Sequence, residues 1–283
     1  MKNLAAYLKR NPTLGIGMGM LLFLLLFSTV GRLFINPDDA YTQTMEVNQP
    51  PSAKHPLGTE SQGRDLLTMM IIGTSKTLLV GAIAGGIGLA LGVVLGFVSG
   101  YYGGVLDTVI TSIVDIFMTI PAFLILIIIA SALKGVTLGV TSMGLIVAMI
   151  SWPGPARAIR AQVLSMRERP FVMMAKLSGM NSLEIIMKEL VPNLLPFLVM
   201  SLSTSVYGGI MASLGLEAIG IGSRREPTMG MTLFYVQYYS GFLLGLWWWI
   251  ISPVIIIVMT LTSLVLTSIG LDEIANPRVR SKV

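Results

Sequence analysis

RERPFVMMAKLSGMNSLEIIMKELVPNLLP, residues Arg167–Pro196, is a polar, helix-breaking island between long apolar walls, with Gly179 near its middle. Phe171, Met174, Ala175 and Ser178 recur near helical spacing, and that helix should stop at Gly179, whose missing side chain permits a left-handed C-terminal turn. A second helix should start at once. Asn181 is placed to cap it, Glu184 three residues on completes a capping box, and Leu183, Ile186, Met187 and Leu190 form an apolar face until Pro192 ends it. The expected product is a helix–turn–helix at a membrane surface. It reads either as a surface that docks a partner or as an amphipathic hairpin lying in the interface with none.

The membrane comes from composition. Of the 283 residues 54% are hydrophobic and 12% charged, with a mean hydropathy of +0.80, far from the balance with which a soluble domain covers its surface. The chain is therefore read as all-α and polytopic, with about six spanning helices. These run roughly over residues 14–35, 75–99, 107–133, 138–152, 196–216 and 247–269, each judged against a hydrocarbon core of about 30 Å. The first is read as a retained helix and not a cleaved signal, because its apolar run is too long and lacks a small-x-small exit. Gly81, Gly85, Gly86, Gly88, Gly92 and Gly96 in the second predict close helix packing.

Basic residues resist translocation, which orients the chain. With the N-terminus inside, the cytoplasmic segments hold Lys2, Lys9, Arg10, Arg157, Arg160, Arg167, Arg169, Lys176, Lys188, Arg278, Arg280 and Lys282. The rest are Arg32, Lys54, Arg64, Lys76, Lys134, Arg224 and Arg225. Both termini are then cytoplasmic. Contact with anionic lipid accounts for the net charge of +5 without nucleic acid.

At these residues a family becomes recognisable. The island resembles the cytoplasmic EAA loop of ABC importer permeases, whose short coupling helix sits in a cleft of the ATPase subunit. Gly179 matches the loop's glycine, Ala175 its second alanine, and Val191-Pro192-Asn193 the closing Leu-Pro-Asn. Met173 and Met174 stand where Glu and Ala are usual, and Glu189 where peptide permeases often carry His. HPLGTESQGRDLLTMMIIG, His55–Gly73, looks like the block that opens the core of oligopeptide and dipeptide permeases of the C-subunit type. Gly58, Thr59, Gly63, Arg64, Asp65 and Gly73 fall at family positions, with Glu60 for Asp. Physically, Gly58 and Gly63 punctuate turns while Arg64 and Asp65 cap or pair at a helix start; the cluster either holds the fold or meets ligand. GYYGGVLDTVITSIVDIFMTIPAFLI, containing Asp115 and Pro121, resembles the family's next loop and span. Leu216-Glu217 through Gly222 with Pro227 and Gly230, WWWIISPVIII from Trp247, and LDEIANPRVR from Leu271, with Asn276 for Asp, continue the likeness. Asp115 near a membrane boundary is either a functional carboxylate or a structural partner of a basic residue.

Absences narrow the chemistry. No G-x-x-x-x-G-K-[ST] loop occurs, so ATP phosphates are not cradled here in the usual way. His55 is the single histidine and cysteine is missing, which removes a Ser-His-Asp triad, a His-rich metal site and any disulfide. Acidic residues within the spans are too few for a proton relay.

The resemblance implies a type I importer working by alternating access. Residues 1–74 would hold an N-terminal cytoplasmic segment, the first span and an extracytoplasmic loop. Residues 75–283 would hold a five-helix core with a cytoplasmic coupling loop at 156–195. Phe171, Val172, Met173, Met174, Ala175, Lys176, Leu177, Ser178, Gly179, Met180, Asn181, Ser182 and Leu183 would be the transmission element. The partners would be a homologous second permease in a heterodimer, two ABC ATPases that bind ATP and Mg, and an extracytoplasmic solute-binding lipoprotein. This chain itself would be a non-catalytic permease without cofactor. Peptide and oligosaccharide (cello-, xylo- or manno-type) importers share the pattern, so the solute stays open. An ion-coupled carrier or channel, or a scaffold that moves nothing, are the readings from other classes. The aromatic run Phe234, Tyr235, Tyr238, Tyr239 and Phe242 either anchors at the interface or stacks on solute.

Overall fold

The computed structural model describes residues 11–41, 45–132 and 138–275, and among them the regular structure is all helical. The helices in chain order are α1 (Pro12–Thr29), α2 (Leu66–Tyr102), α3 (Gly104–Thr119), α4 (Ala122–Ala132), α5 (Val140–Ser151), α6 (Pro153–Arg167), α7 (Pro170–Leu177), α8 (Ser182–Ile185), α9 (Val191–Ala218), α10 (Met229–Tyr238) and α11 (Trp247–Ala275). Lys2, Lys9, Arg10, Leu133, Lys134, Asn276, Arg278, Arg280 and Lys282 lie outside the described residues.

Four helices are long and apolar enough to cross a membrane: Pro12–Phe34, Leu66–Tyr102, Ser182–Ala218 and Trp247–Glu273. The expected third span is instead broken. Ile120 takes the extended conformation that a following proline favours, Pro121 offers no N–H, and α4 leaves α3 at 83°. Counted as one, the pair makes a fifth span. The expected fourth span is α5, 12 residues long, with a bend at Trp152 and Pro153 opening α6. The expected fifth span begins fourteen residues early, because the helix at Ser182 does not stop at Pro192. A π-helical turn at Ile186–Leu190 absorbs the proline: Val191 donates to the Ile186 carbonyl, and Asn193 Nδ2 donates to the Glu189 carbonyl at 2.6 Å.

α2 is the hub, packed on α6, α9, α5, α1 and α3. Its 37 residues rise about 55 Å, more than the hydrocarbon core needs. Backbones approach closely along its glycine stripe. A Cβ on Gly85 would lie 2.4 Å from the Val206 nitrogen, and one on Gly92 would lie 2.6 Å from Pro155 Cβ. Gly86 is the exception to the expected set, since a Cβ there meets nothing within 4 Å. The packing encloses three apolar clusters. One gathers Leu66, Met70, Val236 and Trp249, a second Val80, Ala84, Leu126 and Leu216, and the third Phe97, Ile159, Val163, Val172 and Leu190.

Gly85→Val therefore drives a side chain into the Val206 backbone and is expected to destabilise by about 3 kcal/mol, the upper end of overpacking. Gly86→Ala has open space and gains about 1 kcal/mol of helix propensity at most. Thermal unfolding of the detergent-purified variants separates the two.

Candidate functional site

The hairpin at one end of the bundle is built by local chemistry. Arg169 is extended and Pro170 opens α7 with its fixed φ. At the far end Ser178 leaves the helix and Gly179 adopts φ +79°. The Gly179 amide donates to the Lys176 carbonyl and the Met180 amide to the Ala175 carbonyl, at 3.1 and 3.2 Å, the paired bonds of a Schellman turn. Asn181 Oδ1 then accepts the Glu184 amide at 2.9 Å while Glu184 Oε2 accepts the Asn181 amide at 3.1 Å. The capping box is present as expected.

The faces differ from expectation. Val172 and Ala175 turn inward on α7, while Met174 and Ser178 point out. On the second arm Ile185, Ile186 and Leu190 are buried, while Leu183 and Met187 are exposed. The i, i+3 pair that seats α7 is one residue out of phase with the strongest run of large side chains, and the wide π turn shifts the second arm. An apolar ridge of Met173, Met174, Leu177, Leu183 and Met187 is left exposed, with Lys176 Nζ 5.8 Å from the Tyr101 ring centroid.

Behind the hairpin two ion pairs join α3 to α6. Arg160 grips Asp107 with both forks, at 2.5 and 2.6 Å, and Ser99 donates to the same carboxylate. Asp115 pairs with Arg157, the structural pairing that was one of its two readings. Arg167 Nη1 donates to the Gly100 carbonyl at 2.9 Å. The Asp107–Arg160 pair was not singled out from sequence, although a carboxylate in an apolar helix is a signal.

At the other end residues 45–65 fold over the start of α2. Gly58 and Gly63 have φ +80° and +71°, and a Cβ on either would strike the Gln49 or Met45 carbonyl oxygen at 2.5 Å. Thr59 Oγ1 donates to the Glu46 carbonyl at 2.6 Å and accepts the Gln49 amide. Arg64 binds the buried Glu60 at 2.8 and 3.3 Å. Asp65 caps α2 through the Thr68 amide at 2.9 Å and holds His55 Nδ1 at 3.0 Å. These bonds tie residues 45–65 to one another and to the first turn of α2. Arg64 also lies 5.3 Å from the Tyr235 ring centroid. Within the aromatic run Tyr235 is thus packed inward, while Tyr238 and Phe242 are exposed.

A cavity of about 730 Å³ opens beside the bend at Pro121, between α4, α5, α6 and α9. Phe123, Val147, Gly154, Phe197, Thr204 and Gly208 line it, and among the described residues no charged one does. Among the described residues no group of three or more His, Asp or Glu could hold a metal. Glu217 was noted only as part of a pattern; it is 2% exposed. Its signal is being the single carboxylate between Glu189 and Glu226.

The dipeptide transport system permease protein DppC of Bacillus subtilis is 31% identical over 96% of this chain and 84% of the relative. The oligopeptide transport system permease protein OppC of Mycobacterium bovis is 30% identical over 82% of this chain and 79% of its own length. A putative peptide transport system permease protein of Brucella abortus is 30% identical over 98% and 91%. Among solved structures, a chain of the MetNI methionine ABC transporter in inward-facing conformations superposes with a TM-score of 0.55 over 75% of this chain and 95% of that chain. At 20% identity that likeness concerns the fold, which is that of an ABC importer permease. The family model for binding-protein-dependent transport system inner membrane components matches residues 92–281, and the chain belongs to that family of multi-pass membrane permeases.

Proposed function

We propose that this chain is the membrane-spanning permease subunit of an ATP-driven importer of dipeptides or oligopeptides. The observation that carries the reading is near full-length likeness to permeases named for dipeptide, oligopeptide and peptide transport. It favours peptides over oligosaccharides. The apolar, charge-free cavity beside Pro121 suits half of a permissive pathway completed by a second, homologous permease. Such a wall contacts side chains of many kinds without selecting one charge.

The hairpin is the docking element for ATPase subunits, which bind ATP and Mg on their own chains. Five exposed apolar side chains on a rigidly capped turn offer the buried core that a protein interface needs, and Lys176 with Glu184 and Lys188 supply a charged rim. ATP-driven closure moves this hairpin and, through Ser182–Ala218, the wall of the pathway. A solute-binding partner delivers peptide to the end that carries residues 45–65, and both termini lie with the hairpin in the cytoplasm.

Gly179→Val tests the coupling role. Nothing lies within 4 Å of the new Cβ, so the variant is not excluded sterically, but the left-handed backbone costs an L-residue about 1–2 kcal/mol and a β-branched one more. Insertion and expression should remain normal while peptide uptake in vesicles is lost; normal uptake would refute the assignment. Orientation has its own test, because the chain has no cysteine. Leu177→Cys, on a residue 76% exposed, should react with a membrane-impermeant maleimide in inside-out vesicles without ATPase and not in intact cells. Labelling from outside would reverse the topology.

A further inference from the structure

Glu217 sits one residue from the end of α9 and is buried without a cationic partner among the contacts of its carboxylate. Its Oε2 accepts the Thr228 hydroxyl at 2.8 Å, and the same hydroxyl oxygen accepts the Met231 amide at 3.3 Å. Thr228 is the N-cap of α10 and Met231 lies in its first turn, where the aligned N–H groups gather positive potential. The site is shaped for this approach. A Cβ on Gly230 would lie 2.4 Å from Oε2, so a larger residue there would push the carboxylate away. From the other side Thr77 Oγ1 of α2 accepts the Met229 amide at 3.1 Å.

Two further connections give the contact a mechanical meaning. The helix that ends beside Glu217 begins at Ser182, in the hairpin, and runs 37 residues as one piece, about 55 Å at the α-helical rise. α10 in turn carries Tyr235, on whose ring Arg64 of the Glu60–Arg64 pair rests. Hairpin, rod, α10 and outer loop form one chain of contacts, and Glu217 is the polar link between rod and α10.

We propose that Glu217 is a positioning residue that latches α10, and with it the outer loop, to the helix Ser182–Ala218, so that a displacement at the hairpin reaches the opposite end of the molecule. The proposal rests on the transport reading above and adds the route by which the two ends are joined.

Pairs of spin labels in the assembled, reconstituted transporter test it, again using the absence of native cysteine. Phe23→Cys with Leu202→Cys reports movement of α9 against α1; Leu202→Cys with Tyr238→Cys reports α10 against α9. All three sites are exposed. On vanadate trapping, the first distance should shift in wild type and in Glu217→Gln, while the second should stay fixed in wild type and shift or broaden in Glu217→Gln, with loss of peptide uptake. Thr228→Val removes the hydroxyl donor and should behave like Glu217→Gln, carrying the test alone if that variant does not fold. Thr228→Ser keeps the hydroxyl and should behave as wild type. A fixed second distance in both Glu217→Gln and Thr228→Val overturns the latch while leaving the transport reading intact. A first distance that never shifts in wild type overturns both.

Discussion

The helix from Ser182 to Ala218 passes two prolines without breaking, and the rest of the functional architecture depends on that continuity. Proline removes a backbone donor and pushes its ring into the preceding turn, which costs about 3 kcal/mol in a regular interior. Here the turn before it widens to the π form over Ile186–Leu190, which makes room for the ring. The Asn193 side chain adds a donor to the same turn. A surface element and a membrane element thereby become one rigid body. Had Pro192 ended the first, the hairpin would be joined to the membrane helix by a flexible joint.

Pro121 shows the opposite outcome from the same chemistry. No widened turn precedes it, Ile120 is extended, and the chain departs at 83°. In lipid an unsatisfied backbone group costs several kcal/mol, so such a break is tolerated only against protein or a water-filled space. The cavity of about 730 Å³ lies beside this bend, walled by α5, α6 and α9. One proline preserves a lever and the other opens a space. Their difference lies in the residues around them, Asn193 in the first case and nothing equivalent in the second.

Features set by a few neighbouring residues were legible in the sequence. The Gly179 turn, the Asn181–Glu184 capping box and the glycine notches at Gly85 and Gly92 follow from local conformational chemistry, and the structure contains each. Features decided by contacts distant in sequence were not. Hydropathy cannot distinguish a straight third span from two arms at 83°, because the two halves together are apolar enough to read as one span. It also missed that Val172 and Ile185, not Met174 and Leu183, face the core. That choice is made by Phe97, Ile159 and Val163 on other helices. Glu217 was visible as a lone acid, but its partner Thr228 lies across a turn and belongs to a ten-residue helix too short to be read as a separate element.

Carboxylates in this chain are held in two ways. Glu60 with Arg64, and Asp107 with Arg160, are opposite charges within hydrogen-bond reach. Such pairs roughly break even against desolvation, and their value lies in fixing one arrangement of the elements that carry them. The two ends of the rod use the other pattern, a carboxylate held at a helix start by the N-cap residue, through its amide at Asn181 and its hydroxyl at Thr228. Glu184 accepts the Asn181 amide at the hairpin, and Glu217 meets the first turn of α10 at the far end. A helix N-terminus holds an anion by partial charges fixed in direction, without a flexible cationic side chain that must be ordered. Contacts of that kind fix position without a long Lys or Arg, and they stand at the two ends of the helix that runs from the hairpin to α10.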